Sequence, residues 1–232
     1  MKKIAFIAAL VALSATAAHA GETSGWVGVT SNYISRGTAQ NVYGNPSVQA
    51  SATYTDKGYY ATVFASTMNF GETGFGIADK NTTKELDFFV GKKTTVGKTT
   101  VDFSVASINY PDNHAKWNFV EYGVRLDRSF GKAQAGVWVG YTDQYFANYG
   151  QGIWTEAHGS YPITDKLFVS GAVANQDLPN NFDYRTWNVG AIYSVTPTVS
   201  VDVRYSDTDR HDLDPVFDSY GSAVAVTITK GF

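Results

Sequence analysis

Apolar and polar residues take turns along most of this chain. In Phe119 to Arg128, Val120, Tyr122, Val124 and Leu126 share one parity, and Glu121, Gly123, Arg125 and Asp127 share the other. Lys84 to Gly91 sets Leu86, Phe88 and Val90 against Glu85, Asp87, Phe89 and Gly91, and Thr99 to Tyr110 sets Val101, Phe103 and Val105 against Thr100, Asp102 and Ser104. Ala133 to Thr142, Thr186 to Ser194 and Val199 to Ser206 repeat the pattern, the last with Asp202 and Arg204 opposite Val201, Val203 and Tyr205. Side chains change face at every residue only in an extended strand, so this period predicts strands with one apolar and one polar face. Weaker copies run over Gly25 to Arg36, Ser47 to Thr55, Tyr59 to Thr67, Gly152 to Tyr161, Leu167 to Gln176 and Ser219 to Phe232, which brings the expected number of strands to twelve.

Residues 1–20 stand outside the pattern. Met1-Lys2-Lys3 is a short basic start, Ile4 to Leu13 is apolar, and Ala18-His19-Ala20 has the small-x-small form of a cleavage site. Together they predict a secretory signal peptide cut after Ala20, leaving 21–232 as a single exported domain. Beyond Ala20 no apolar run reaches the ~18 to 20 residues of a membrane-spanning helix. A soluble sheet or a transmembrane barrel remains.

Composition narrows the partners. The absence of Cys excludes a disulfide scaffold and a thiolate metal site. A formal charge of −3, with no Lys/Arg stripe, speaks against nucleic acid. The chain is 44% hydrophobic yet its mean hydropathy is slightly negative, as expected when an apolar and a polar surface are averaged.

The connections separate the two remaining classes. Short ones, such as Asp56-Lys57-Gly58, Val96-Gly97-Lys98 and Phe130-Gly131-Lys132, alternate with longer ones at Thr38 to Pro46, Met68 to Thr83, Pro111 to Asn118, Asp143 to Gln151, Asp177 to Tyr184 and Asp207 to Asp218. Short turns at one end and long loops at the other are the mark of outer-membrane barrels. The expected fold is therefore all-β: a transmembrane antiparallel up-and-down β-barrel of twelve strands, its apolar face in outer-membrane lipid. Phe232 ends the last alternating strand and resembles the signal that such barrels present to the barrel-assembly machinery. Tyr33, Tyr54, Tyr59, Tyr141, Tyr161, Trp187, Tyr193, Tyr205, Tyr220 and Phe232 fall near strand ends, where interface girdles are expected.

Catalytic patterns are thin. His158-Gly159-Ser160 is similar to the His-x-Ser of outer-membrane phospholipases, but it faces inward near a short turn and the Ser-Asn-Gly-Arg run of those enzymes is missing. Asp209-Arg210-His211-Asp212 reads as a solvated loop cluster, His114 stands alone, and Gly74-Phe75-Gly76 lacks the strand-to-helix setting of a phosphate loop. No catalytic residue, metal site or cofactor is expected.

The inward set carries the functional expectation. It comprises Asn32, Arg36, Glu85, Asp87, Asp102, Glu121, Arg125, Asp127, Glu156, His158, Asp202 and Arg204, seven carboxylates against three arginines. Charges in a lumen either pair into a plug or line a hydrated path. Trp138, Trp154 and Phe89 are the large inward side chains that would narrow it. Arg36 is placed on the first strand, as a lumen residue or as an anchor of the loop at the rim.

The runs Gly28-Val29-Thr30-Ser31-Asn32-Tyr33-Ile34-Ser35-Arg36-Gly37, Pro46-Ser47-Val48-Gln49-Ala50, Tyr59 to Ser66, Glu85 to Phe89, Tyr110-Pro111 and Asn118 to Tyr122 resemble the TorF family of porin-like proteins. Ala39, where a Ser is common, is a mild departure. The resemblance implies an outer-membrane barrel with a pore, and it names no substrate. The expectation is a porin-like channel for passive diffusion of small solutes or ions, weakly cation-preferring and not an enzyme. A plugged barrel acting as a structural or adhesive surface module is the alternative.

Overall fold

A computed structural model describes residues 21–70, 82–112 and 117–232; the expected signal peptide at 1–20, Gly74-Phe75-Gly76 and His114 lie outside them. The strands are β1 (Glu22–Thr30), β2 (Ile34–Ser35), β3 (Thr38–Ala39), β4 (Ser47–Asp56), β5 (Tyr59–Thr67), β6 (Lys84–Val96) and β7 (Thr99–Ile108). They continue as β8 (Phe119–Phe130), β9 (Ala133–Tyr145), β10 (Gly150–Pro162), β11 (Leu167–Asp177), β12 (Tyr184–Ser194), β13 (Val199–Thr208) and β14 (Ala223–Gly231). β1 and β4 to β14 pair antiparallel in sequence order, and β1 closes on β14, giving a twelve-stranded barrel. At the seam Trp26 pairs with Gly231 and Thr30 with Thr227. Closure leaves no free edge, the condition under which a sheet can sit in lipid.

The parity of the sequence is the geometry of the wall. Phe103, Val105, Val124, Val139 and Val203 are exposed on the outside, whereas Glu85, Asp87 and Glu121 on the other parity are buried. Phe232 exchanges backbone hydrogen bonds with Gly25, and its side chain is exposed at the rim that carries the short turns. The turn joining β4 to β5 needs φ of 50° at Lys57 and 83° at Gly58, the left-handed pair of a tight hairpin.

Four expectations change. β1 ends at Thr30, not Arg36: Thr30 Oγ1 donates to the Asn32 carbonyl at 2.8 Å, and the chain leaves the wall to form the separate β2–β3 hairpin. Tyr33 therefore does not belong to an outer girdle; its hydroxyl donates inward to Glu85 Oε2 at 2.7 Å. Tyr220 precedes β14 and is buried edge-on against Tyr184, so it too leaves the girdle. The expected loop from Asp143 to Gln151 shrinks to Phe146–Tyr149, because β9 and β10 stay paired almost to its tip, with a register irregularity between Gly150 and Gly152.

The main apolar cluster lies at the long-loop end, not in the wall. Met68, Phe70, Tyr110, Trp117, Phe146 and Ala147 are buried against one another there. Their source is three separate connections, so the cluster ties those loops into a cap.

Candidate functional site in the barrel lumen

The long-loop half of the lumen is filled from the side by the β2–β3 hairpin. Its tip, with φ of 51° at Arg36 and 83° at Gly37, drives the Arg36 side chain toward the wall. Nη2 of Arg36 donates to Glu121 Oε1 at 2.7 Å and to Oε2 at 2.6 Å, and Nη1 donates to Gln176 Oε1 at 3.2 Å. The guanidinium lies 5.1 Å from the Trp138 ring, 4.9 Å from that of Trp154 and 5.9 Å from that of Tyr145. Beside it, Tyr33 meets Glu85, and the backbone N–H of Asn109 donates to Asp87 Oδ1 at 3.2 Å. Arg36 is thus a residue of the hairpin tip, not of the first strand, and its side chain reaches into the lumen.

The short-turn half has its own charge groups, all from the wall. Arg125 Nε donates to Asp127 Oδ2 at 2.8 Å, His158 Nε2 lies 2.8 Å from Asp127 Oδ1, and Arg125 Nη2 lies 2.8 Å from the same imidazole nitrogen. His158 Nδ1 lies 3.1 Å from Glu156 Oε1, in ion-pair range but without good hydrogen-bond geometry. Register explains this grouping. Asp127 and His158 both pair with Gly136, one from each side, and the missing side chain lets them meet across it. A Cβ at Gly136 would stand 2.5 Å from His158 Nε2. Gly190 plays the same part between Ser170 and Arg204, whose Nη2 crosses it to reach Ser170 Oγ at 2.8 Å. Arg204 also donates to Asn188 Oδ1 at 2.7 Å and to Asp202 Oδ2 at 3.1 Å. Near the rim, Tyr60 donates to Asp102 Oδ1 at 3.0 Å, and Lys93 Nζ stands 3.7 Å from Asp102 Oδ2.

These groups line two cavities. One, of about 640 Å³, includes Asn32, Arg36, Glu85, Asp87, Glu121, Glu156, Asp202 and Arg204 in its lining. The other, of about 360 Å³, includes Arg125, Asp127, Glu156, His158 and Arg204. They share Glu156, Ala172, Asn188 and Arg204, so they meet at mid-wall. Of the twelve residues picked by parity, Asn32 and Arg36 come from the first long connection and the other ten from wall strands. Asp102 alone lies outside both linings.

Parity counting missed Lys93, Tyr60 and Gln176. Lys93 shares the parity of Asp87 but falls beyond Gly91, where both faces of β6 turn polar and the alternation fades. Gln176 closes the alternating run of β11 at its loop end, where a neutral side chain gives no charge signal. Ser160 and His158 both line the smaller cavity, yet the imidazole is engaged by Asp127 and Arg125, and no hydrogen bond joins it to Ser160.

Among proteins of known sequence pattern, residues 14–232 match the family model described as bacterial protein of unknown function (Gcw_chp). The chain belongs to the Gcw_chp family. No curated protein matches it in sequence. Among solved structures, the NanC porin is similar over 91% of this chain and 99% of its own, with a TM-score of 0.61 at 11% identity. The outer membrane protein Omp33 of Acinetobacter baumannii is similar over 91% of this chain and 98% of its own, with a TM-score of 0.50 at 10% identity. At such identities the likeness is one of fold: this Gcw_chp member has the closed antiparallel barrel of outer-membrane porins.

Proposed function

We propose that this Gcw_chp member is an outer-membrane, porin-like channel for small hydrophilic solutes or ions, of the TorF kind that its sequence resembles, exported by its leader and assembled through Phe232. The observation that carries the reading is a closed wall with an apolar outer face around a lumen whose two cavities, about 640 and 360 Å³, share four lining residues. Asn32, Trp154, Asp202 and Arg204 are among the polar or charged side chains that line the larger cavity. Seven inward carboxylates face Arg36, Arg125, Arg204 and Lys93, and that excess of negative charge favours cations.

Liposome swelling tests the reading. Vesicles carrying the refolded protein should swell in isotonic amino acids and small sugars, more slowly as solute size rises. Swelling no faster than in protein-free vesicles would overturn it. A second reading, a plugged barrel presenting its loops, draws on the Arg36 hairpin and on the aromatic cap. It predicts no swelling from a barrel that still migrates as folded on unheated gels.

A further inference from the structure

We propose that Glu121, Gln176, Trp138, Trp154 and Tyr145 form a binding seat for guanidinium-bearing solutes, and that Arg36 is its tethered occupant. All five seat residues stand on neighbouring wall strands, β8 to β11, while Arg36 comes from the β2–β3 hairpin. The receptor is therefore part of the rigid barrel and the occupant part of a loop. The carboxylate accepts from one guanidinium nitrogen with both oxygens, at 2.6 and 2.7 Å, and Gln176 Oε1 accepts from a second at 3.2 Å.

Gln176 is set for this by its own amide nitrogen, which donates to the carbonyls of Ile153 and Asp177, both at 3.3 Å. Glu121 faces Gly140, where a Cβ would stand 2.8 Å from the carboxyl carbon. The indoles of Trp138 and Trp154 lie 5.1 and 4.9 Å from the planar cation. A flat, forked cation donates to both acceptors while it lies against aromatic faces; a quaternary ammonium can use the aromatic faces but has no N–H to give the two acceptors. The hairpin is short, with β2 and β3 pairing over only two residues each, and Arg36 at its tip has a left-handed φ of 51° that a non-glycine residue adopts at a cost; its stem is held separately, by Tyr33 on Glu85 and by the Ala39 N–H donating to the Ser219 carbonyl at 2.8 Å. Exchange with a free guanidinium replaces the tip contacts like for like and frees the tip, while the stem contacts stay in place. The inference deepens the channel reading and relies on it only for how a solute reaches the seat.

The test titrates methylguanidinium into detergent-solubilised wild type, Arg36→Ala and Arg36→Ala/Glu121→Gln, following tryptophan emission, with tetramethylammonium at equal ionic strength as comparison. Arg36→Ala should give a saturable response. Loss of the charge-assisted bond in the double variant should weaken it about tenfold. Wild type should saturate at least about tenfold higher in concentration, because tethered Arg36 competes at a high effective concentration. No saturable response in folded Arg36→Ala, or the same response with tetramethylammonium or in the double variant, would overturn the seat. If Arg36→Ala loses its folded gel mobility, Arg36→Gln carries the same titration. Bilayers separate the two claims: saturation with silent membranes in every variant refutes the channel and keeps the seat, and current that methylguanidinium does not block in Arg36→Ala refutes the seat and keeps the channel.

Discussion

Replacing Phe146 by Ala should loosen the cap without touching the barrel. Phe146 is 8% exposed, and its ring lies 5.0 Å from Trp117, 5.1 Å from Phe70 and 5.4 Å from Tyr110. Truncating a buried Phe costs about 3 to 5 kcal/mol, including the ~0.5 to 1.5 kcal/mol that each aromatic pair adds beyond burial. The wall strands keep all their hydrogen bonds, so the loss falls on the equilibrium between docked and undocked loops. Even about 3 kcal/mol multiplies the undocked fraction more than a hundredfold, at about 1.4 kcal/mol per tenfold. Hydrogen exchange followed by mass spectrometry reads this directly. Amides of peptides around Tyr110 and around Tyr145 to Tyr149 should lose protection by about that factor, while those of β8 and β12 keep theirs and the unheated gel mobility is unchanged. Unchanged cap exchange, or equal loss in the wall, would refute the account of the cap as a separately stabilised lid on a finished barrel.

Other outcomes follow from the same geometry. Val139→Arg, on the exposed outer face at the middle of β9, should cost about 2 to 4 kcal/mol in equilibrium folding into lipid vesicles, whereas Ala172→Lys, facing the lumen, should cost far less; equal costs would contradict the assigned faces. Asp127→Asn should move the reversal potential in a salt gradient toward anions and Arg125→Gln toward cations, since each removes one charge from the same narrow group; shifts of the same sign would count against it. His211, in the connection before β14, lies 3.0 Å from Asp207 Oδ1, and that hydrogen bond raises its pKa above the ordinary value of about 6.5. A raised folded pKa means that the loop stabilisation is full below about 6.5 and is lost as pH rises through the folded value. Proteolysis of this connection should accelerate over that range in wild type and show no such step in His211→Gln.

The barrel was legible because its strands obey one rule with few exceptions: Val120 to Asp127 reads outward and inward residue by residue, as the wall has it. Strand number and order followed from counting such runs. What parity could not show is where a chain that still alternates leaves the wall. Ser31 to Arg36 continues the pattern of β1, yet it folds inward, because Arg36 finds a carboxylate and aromatic faces across the lumen that no neighbour in sequence announces. Tyr33 moved with it, from an expected girdle to a bond with Glu85. Contacts between strands distant in sequence were equally hidden: the inward glycines were visible, but that Gly136 brings Asp127 to His158 depends on register, which alternation alone does not set.

The central claim is a hydrated path through this lumen, and single-channel recording in planar bilayers with a salt gradient tests it most directly. The account predicts discrete conductance steps with a reversal potential of cation-preferring sign. Silent membranes from protein that keeps its folded gel mobility would contradict it.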